Sequence, residues 1–159
     1  QFFGKEVCAE IKEQDVIDHL AELRAYAGDR SVLRALHFFE ENKRVEAEVK
    51  ALKENRFGDF LDGITASGNS SWKWLQNCYC NETPDEQSIT VALALTKLYL
   101  DKIGRGVCRV HGGGFAGVIA AFLPKEETEG FTKYIDKALG EGSAYVMHIR
   151  PQGAVKVEF

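Results

Sequence analysis

The chain has 159 residues, 45% of them hydrophobic, which predicts a single domain over residues 1–159 with a buried core. A formal net charge of −4, without a concentrated basic stripe, argues against nucleic acid as a partner, because such binding depends on neutralising phosphates. The longest uncharged apolar stretch, residues 89–96, is too short to cross a membrane, and the N-terminus has no signal-peptide pattern. We therefore expect a soluble cytoplasmic domain with neither nucleic-acid nor membrane partners.

The four cysteines are expected to be free thiols, since a core of this size needs no disulfides. Cys78 and Cys80 lack the two-residue spacer and the second cysteine pair of a structural zinc site, so no metal site is predicted. The chain begins at Gln1 without a methionine, which suggests a fragment of a longer protein.

The first half of the chain has the apolar spacing of helices. One helix is predicted over about residues 14–27, with Gly28 as its stop, and a second from Ser31, a good N-cap, to about Asn55. Apolar residues recur on one face of each helix: Val16, Leu20, Leu23 and Ala27 in the first, and Val45, Val49 and Leu52 in the second. The short connection predicts that the two helices pack antiparallel as a hairpin.

Residues 57–81 show a looser pattern, for which a short helix and a loop are predicted. Thr83, Pro84 and Glu86 then give the pattern of a capping box with proline at the first helical position, so a helix is predicted to begin there. This helix is expected to end at Gly104. Its apolar face contains Ile89, Leu93, Thr96 and Leu100.

After Gly104 the hydrophobic period changes towards two. Strands are predicted over residues 107–110 and 118–123, followed by a helix that ends at Gly140 and by two strands over about residues 144–149 and 154–159. This order predicts an α+β fold, with a ferredoxin-like antiparallel sheet, helices packed on one face of it, and a helical hairpin before it.

Residues 112–117 read GGGFAG and join the first two predicted strands. Glycine allows positive φ and close approach of main-chain N–H groups to a ligand, so this segment is a candidate anion-binding loop. Its members are Gly112, Gly113, Gly114, Phe115, Ala116 and Gly117. No lysine followed by serine or threonine comes after the glycines, and a β-like run follows them, which excludes a P-loop and a Rossmann fingerprint. A glycine cluster between strands is more often a tight turn, and this alternative stays open.

A charged stripe marks the second predicted helix. His37, Glu41 and Arg44 share one face, with Arg34 one turn before them. The stripe is either a solvated face or a network in which Glu41 orients Arg44 or His37. No nucleophile or second carboxylate joins it, so no acid/base pair is predicted there.

Four further polar residues are candidates for lining a cleft. Ser67, Asn69 and Ser70 lie in a predicted loop or helix start, where they either cap the helix or meet a ligand. His111 directly precedes the glycines, and it either contacts a phosphate or is structural.

Together these motifs resemble the C-terminal half of the galactokinases, which are members of the GHMP small-molecule kinase superfamily. His37, Glu41 and Arg44 resemble the family's helix signature, residues 67–71 its serine-rich segment, and residues 109–117 its glycine-rich third motif. The resemblance covers essentially the whole chain. Two positions differ from the family pattern: Ala116 stands where glycine is common, and Gly68 where many galactokinases have a histidine.

The resemblance implies the GHMP C-terminal domain, without the ATP-binding segment and the catalytic aspartate, which belong to an N-terminal half. The chain alone is therefore expected to be inactive. In the complete protein, ATP with Mg²⁺ would phosphorylate the C1 hydroxyl of galactose, so the implied partners are the chain's own N-terminal kinase domain and a sugar. Residues 112–117 would lie near the phosphates, and Ser67, Asn69, Ser70 and His111 would line the cleft.

Two alternatives stay open. One is a noncatalytic ferredoxin-like module that binds a small molecule or dimerises. The other is a GHMP kinase for another small alcohol.

Overall fold

The computed structural model describes residues 2–115, 117–149, 151–153 and 155–156. Within them it contains six α-helices and one two-stranded antiparallel sheet, so the α+β class is confirmed. The helices are α1 Glu13–Asp18, α2 Leu20–Ala27, α3 Asp29–Lys53, α4 Phe57–Ser70, α5 Ser88–Ile103 and α6 Thr128–Leu139, and the strands are β1 Val107–His111 and β2 Val118–Phe122. None of the helices described here is long and apolar enough to cross a membrane.

The helices at the start of the chain form the predicted hairpin, but not all of them begin and end at the predicted residues. The single predicted helix is interrupted at His19, whose Nδ1 lies 3.0 Å from the carbonyl oxygen of Asp15, and both α1 and α2 pack against α3. α3 begins at Asp29 and not at the predicted cap, Ser31. The Ser31 hydroxyl instead donates a hydrogen bond to the carbonyl oxygen of Ala27 (2.8 Å).

α3 does not bury the face that its apolar spacing predicts. Val45, Val49 and Leu52 share a face, but each is about half exposed. α3 makes its most extensive helix contact with α4. That contact includes the polar groups described below, which a pattern of apolar residues does not reveal.

Residues 57–75 are more helical than the sequence predicts. α4 covers 14 residues, and a π-helical turn over Ser71–Leu75 continues it, so the predicted loop begins only after Leu75. Glycine, serine and asparagine are weak helix formers. Contacts of α4 with α3 and β1 offset this weakness, and Ile64, Ser67 and Ser70 are buried.

The helix predicted to begin at Thr83 begins at Ser88. The amide of Glu86 donates a hydrogen bond to the carbonyl oxygen of Thr83 (3.0 Å), which closes a turn with Pro84 at its second position. Proline suits this position as well as the first position of a helix, so the cap prediction is wrong. The later part of the prediction is confirmed, because α5 ends before Gly104. Its buried residues are Ile89, Leu93, Thr96 and Leu100.

β1 and β2 form the predicted antiparallel pair, in a register that runs from Val107 opposite Phe122 to His111 opposite Val118. One face of this sheet packs against α5. The core on that face contains Cys78, Ile89, Leu93 and Val110, with Ile119 packed against them.

The other face of the sheet packs against α4. The rings of Phe122 and Phe60 meet edge to face with centroids 6.0 Å apart. A Cβ added at Gly68 would lie 3.0 Å from the Cβ of Arg109, so α4 approaches β1 closely at a glycine. Helices therefore cover both faces of the described sheet, and the prediction that they pack on one face is wrong. Apart from Arg109, both faces of the sheet are largely apolar, so both must pack against other elements to be shielded from water.

The chain divides into two compact units, Gln1–Leu123 and Pro124–Phe159. In the second unit α6 ends before Gly140, as predicted. The predicted strand over residues 144–149 is wrong: these residues form no strand, and most of their apolar side chains are exposed. A short apolar run forms a strand only where a neighbouring strand pairs with it.

Part of the last predicted strand cannot be compared, because residues 154 and 157–159 lie outside the described residues; residues 155–156 are not in a strand. The described sheet thus has two strands. The ferredoxin-like arrangement and the single-domain organisation stay predictions.

Two glycines of α4 form a matched pair that tests the approach of α4 to β1. A Cβ at Gly58 would meet no atom within 4 Å, so Gly58→Ala should raise the free energy of unfolding by about 0.5–1 kcal/mol through helix propensity. At Gly68 the same methyl group would lie 3.3 Å from the carbonyl oxygen of Cys108. We expect Gly68→Ala to be less stable than Gly58→Ala by about 1 kcal/mol or more in urea denaturation. Equal gains from both substitutions would contradict this packing.

Candidate functional site

The glycine-rich loop is the turn between β1 and β2. The last residue pair of the sheet joins His111 to Val118, so residues 112–117 leave the sheet together. Gly112, Gly113, Phe115 and Gly117 are exposed and Gly114 is half-buried, whereas Ala116 lies outside the described residues. The loop is therefore accessible to a ligand at most of its described positions.

Three of the described residues of the loop have a left-handed backbone. The φ angles are +71° at Gly112, +78° at Gly114 and +59° at Phe115. A residue with a side chain rarely adopts this conformation, so the one at Phe115 requires support from its surroundings. Turns of this kind gather successive main-chain N–H groups and can bind an anion.

Neighbouring glycines of the loop face different surroundings. A Cβ at Gly113 would meet nothing within 4 Å, so this position is open to a ligand. A Cβ at Gly114 would lie 2.1 Å from the carbonyl oxygen of Asn77, so this position presses against the protein. Asn77 could not be predicted as a neighbour of the loop, because no local sequence pattern connects it to Gly113, which lies 36 residues away.

Ser67 connects β1 to α3 and α4. Its side chain is fully buried; its Oγ donates a hydrogen bond to Glu41 Oε1 and accepts one from Arg109 Nη1. Arg109 Nη1 also lies 3.4 Å from Glu41 Oε1, and Glu41 Oε2 accepts a hydrogen bond from Arg44. The network alternative for the charged stripe is thus the one observed, with Glu41 orienting Arg44. The role of Arg109, two residues before the end of β1, is the part that sequence analysis misses.

His37 lies in the same contact between α3 and α4. Its Nδ1 is 2.9 Å from the Oγ of Ser70. Burial lowers the pKa of His37 below its ordinary value, and Arg44 and Arg109 lower it further, while Glu41 opposes them. The imidazole is therefore neutral at pH 7 and forms a neutral hydrogen bond with the serine.

The four predicted cleft residues are not brought together. Ser67 and Ser70 are buried within α4 and bonded to α3 rather than capping a helix. Asn69 lies on an exposed face of α4, and His111 is exposed at the end of β1. Contact of any of the four with a ligand stays a prediction.

A separate cavity of about 250 Å³ lies between the N-terminal segment and the first three helices. Its walls are mainly apolar and aromatic, including Phe2, Phe3 and Tyr26, and the thiol of Cys8 also lines it. Residues of the glycine-rich loop and of the Ser67 network do not line this cavity. We therefore treat the loop and the residues that support it as the candidate site.

Removal of the Ser67 hydroxyl tests the network. Ser67→Ala removes a hydrogen-bond partner from the partly buried side chains of Glu41 and Arg109, so the free energy of unfolding should fall by about 1–3 kcal/mol. Asn69→Ala, on the exposed face of the same helix, should change it by less than about 0.5 kcal/mol. Urea denaturation of both variants measures the difference. Equal effects would mean that Ser67 does not hold these elements together.

His37 should make stability depend on pH. Because folding lowers the pKa of His37, the unfolded chain binds the proton more readily, and the free energy of unfolding falls as the pH decreases from the ordinary value of 6.5 through the folded value. Burial raises the pKa of Glu48, which gives the opposite trend at lower pH. We therefore compare Glu48→Gln with the double variant Glu48→Gln, His37→Gln by denaturation at several pH values. The double variant should lose the decline; a decline of the same size in both would contradict the assignment to His37.

Curated proteins that resemble this chain are sugar kinases. A galacturonokinase from Arabidopsis thaliana is 32% identical over 102 residues, which is 64% of the chain and 22% of that protein. Galactokinases from Thermosipho africanus and Mannheimia succiniciproducens are 29% and 30% identical over 118 and 138 residues, which cover 72% and 85% of the chain. The chain spans 30% and 32% of the length of these two proteins. No family model and no solved structure matches the chain.

The similarity includes the candidate site. A continuous match to 85% of the chain leaves too few residues outside it to exclude either the glycine-rich loop or residues 67–70. The resemblance predicted from the motifs is thus confirmed: this chain is a relative of the galactokinases, and it spans less than a third of the length of the three relatives named above.

Proposed function

We propose that this chain is the C-terminal domain of an ATP-dependent sugar kinase of the GHMP superfamily, and that the glycine-rich loop binds the phosphates of the nucleotide. The observation that carries the proposal is the similarity to galactokinases across a region that includes the loop. The left-handed backbone of the loop and the open space at Gly113 support it. The proposed fold is the GHMP C-terminal domain, with β1 and β2 as part of its ferredoxin-like sheet.

The proposed reaction transfers the γ-phosphoryl group of ATP to the C1 hydroxyl of galactose. The bond between the γ-phosphorus and the bridging oxygen breaks, and a bond to the sugar oxygen forms while that hydroxyl loses its proton. Such transfer depends mainly on positioning and electrostatic stabilisation, for which main-chain N–H groups of a fixed loop are suited. We assign no catalytic residue to this chain and expect the base in an N-terminal kinase domain.

Mg²⁺ belongs to the same proposal. No group of three or more histidine, cysteine, aspartate or glutamate side chains clusters among the residues that the structure describes. Mg²⁺ takes oxygen ligands, commonly one or two carboxylates together with substrate phosphates. We expect those carboxylates in the N-terminal kinase domain, which we propose as the partner of this chain.

The acceptor sugar defines two versions of the proposal. Two relatives are named galactokinases, and a third is named a galacturonokinase. Galactose and galacturonate are therefore the first acceptors to test. The sugars differ at C6, where galacturonate has a carboxylate.

The proposed activity is tested by ADP release from the full-length protein that contains this chain. We would offer galactose, galacturonate, other hexoses and mevalonate in turn, with this chain alone as the control. The proposal predicts ADP release with galactose or galacturonate from the full-length protein, and none from the chain alone. Activity with mevalonate alone would favour a kinase for another small alcohol, and a folded protein that is silent with every acceptor would favour the noncatalytic module.

Gly113→Val tests the role of the loop. The added side chain would meet no protein atom within 4 Å of its Cβ, so the fold should be retained, but it would block close approach of phosphate to the backbone. We expect the kcat of the full-length protein to fall by about tenfold or more. Gly58→Val, at another open glycine, should leave kcat unchanged. An unchanged kcat in folded Gly113→Val would remove the loop from the mechanism.

A further inference from the structure

The backbone of the glycine-rich loop requires an external support. Phe115 has a left-handed φ of +59°, which is costly for a residue with a side chain. Phe115 is 46% exposed, so burial of its side chain does not offset that cost. The support must therefore come from contacts that the main chain of the loop makes.

Asn77 makes those contacts on both sides of Gly114. The amide of Phe115 donates a hydrogen bond to the carbonyl oxygen of Asn77 (2.6 Å). The Nδ2 of Asn77 donates one to the carbonyl oxygen of Gly113 (3.3 Å). Gly114 lies between them and presses on Asn77, where a Cβ would be 2.7 Å from Nδ2. One residue thus holds three consecutive residues of the loop.

Asn77 is itself fixed by its neighbours in the chain. Cys78 lies in the hydrophobic core with Val110 of β1, so the segment is tied to the strand that leads into the loop. On the other side, the amide of Gln76 closes the π-helical turn onto the Ser71 carbonyl oxygen (2.7 Å). The carbonyl oxygen of Gln76 also accepts a hydrogen bond from Arg30 Nη2 (3.2 Å).

Stability alone does not account for an asparagine at this position. Asn77 is 3% exposed, and its Oδ1 is buried without a hydrogen-bond partner among the described residues. An unpaired buried acceptor is unfavourable for folding. Rotating the side-chain amide by 180° would place Oδ1, in place of Nδ2, next to the Gly113 carbonyl oxygen, and the hydrogen bond to the loop would be lost. The orientation that donates to the loop is therefore the one that leaves Oδ1 unpaired. The side-chain amide of Asn77 is thus oriented to bond the loop, although its oxygen then has no hydrogen-bond partner among the described residues.

We propose that Asn77 is the positioning residue of the glycine-rich loop, and that it sets the left-handed backbone which directs the loop's N–H groups towards an anion. The identity of that anion, the nucleotide phosphates, rests on the proposed function. The shape of the loop and its dependence on Asn77 do not rest on the proposed function. Two measurements therefore separate the two claims.

The first measurement is amide hydrogen exchange in this chain, with Asn77→Ala as the variant. Loss of the bond to Gly113 should speed exchange of the Phe115 amide by about tenfold, while the strand amides of Val110 and Ile119 stay as protected as in the wild type. Thr96→Val is the matched control, because it removes another buried side-chain oxygen without a described partner, in α5. Thr96→Val should leave the exchange rate of the Phe115 amide unchanged. Unchanged exchange at Phe115 in folded Asn77→Ala would overturn the proposal.

If Asn77→Ala does not fold, two glycine variants test the contact between Asn77 and the loop. Gly114→Ala drives a methyl group into the Asn77 carbonyl oxygen and should speed exchange at Phe115. Gly113→Ala has open space and should not. Equal protection of Phe115 in these two variants would overturn the proposal.

The second measurement is steady-state kinetics of the full-length protein. Asn77→Ala should lower kcat by about tenfold and leave the KM for the sugar unchanged, because the loop is proposed to contact the phosphates and not the acceptor. A raised KM for the sugar with an unchanged kcat would contradict a positioning role in transfer. If the wild-type protein transfers phosphate to none of the acceptors, the proposed function is wrong. The hydrogen-exchange measurement would still test the role of Asn77 in shaping the loop.

Discussion

One buried polar contact joins the parts of the chain that form the candidate site. Ser67 in α4 lies between Glu41 of α3 and Arg109 of β1; its hydroxyl donates a hydrogen bond to the Glu41 carboxylate and accepts one from the Arg109 guanidinium. Burying these charges is favourable only while they remain paired, so the contact fixes which residues of the three elements face one another. It also requires α4 to lie close to β1, which the glycine at position 68 permits. The contact holds β1 at Arg109, two residue pairs before the last pair of the sheet.

Much of the fold could be predicted where the signal is local. The two strands, the C-terminal ends of α5 and α6, and the buried face of α5 follow from the hydrophobic period and the terminal glycines. The prediction fails where a pattern suits two structures: Thr83 and Pro84 begin a turn instead of a helix. It also fails where tertiary contacts outweigh propensity, as in α4, and where a strand pattern at residues 144–149 finds no partner in the described sheet.

The candidate site could be predicted in part for the same reason. Glycines between two apolar runs mark the loop, and i, i+4, i+7 spacing places His37, Glu41 and Arg44 on one face. Neither pattern reveals the partners, because Arg109 lies 68 residues from Glu41 in the chain and Asn77 lies 36 residues from Gly113. The resemblance to galactokinases supplies the anion that the loop is proposed to bind, but it does not reveal how the loop is held.

The central claim is that a loop shaped by the protein's own buried contacts meets the phosphates of a nucleotide. The most direct test is a crystal structure of the full-length protein with Mg²⁺ and a non-hydrolysable ATP analogue. Our account predicts that phosphate oxygens lie within hydrogen-bond distance of main-chain N–H groups of residues 112–114, with Asn77 still bonded to the loop. A nucleotide whose phosphates lie away from this loop would contradict it.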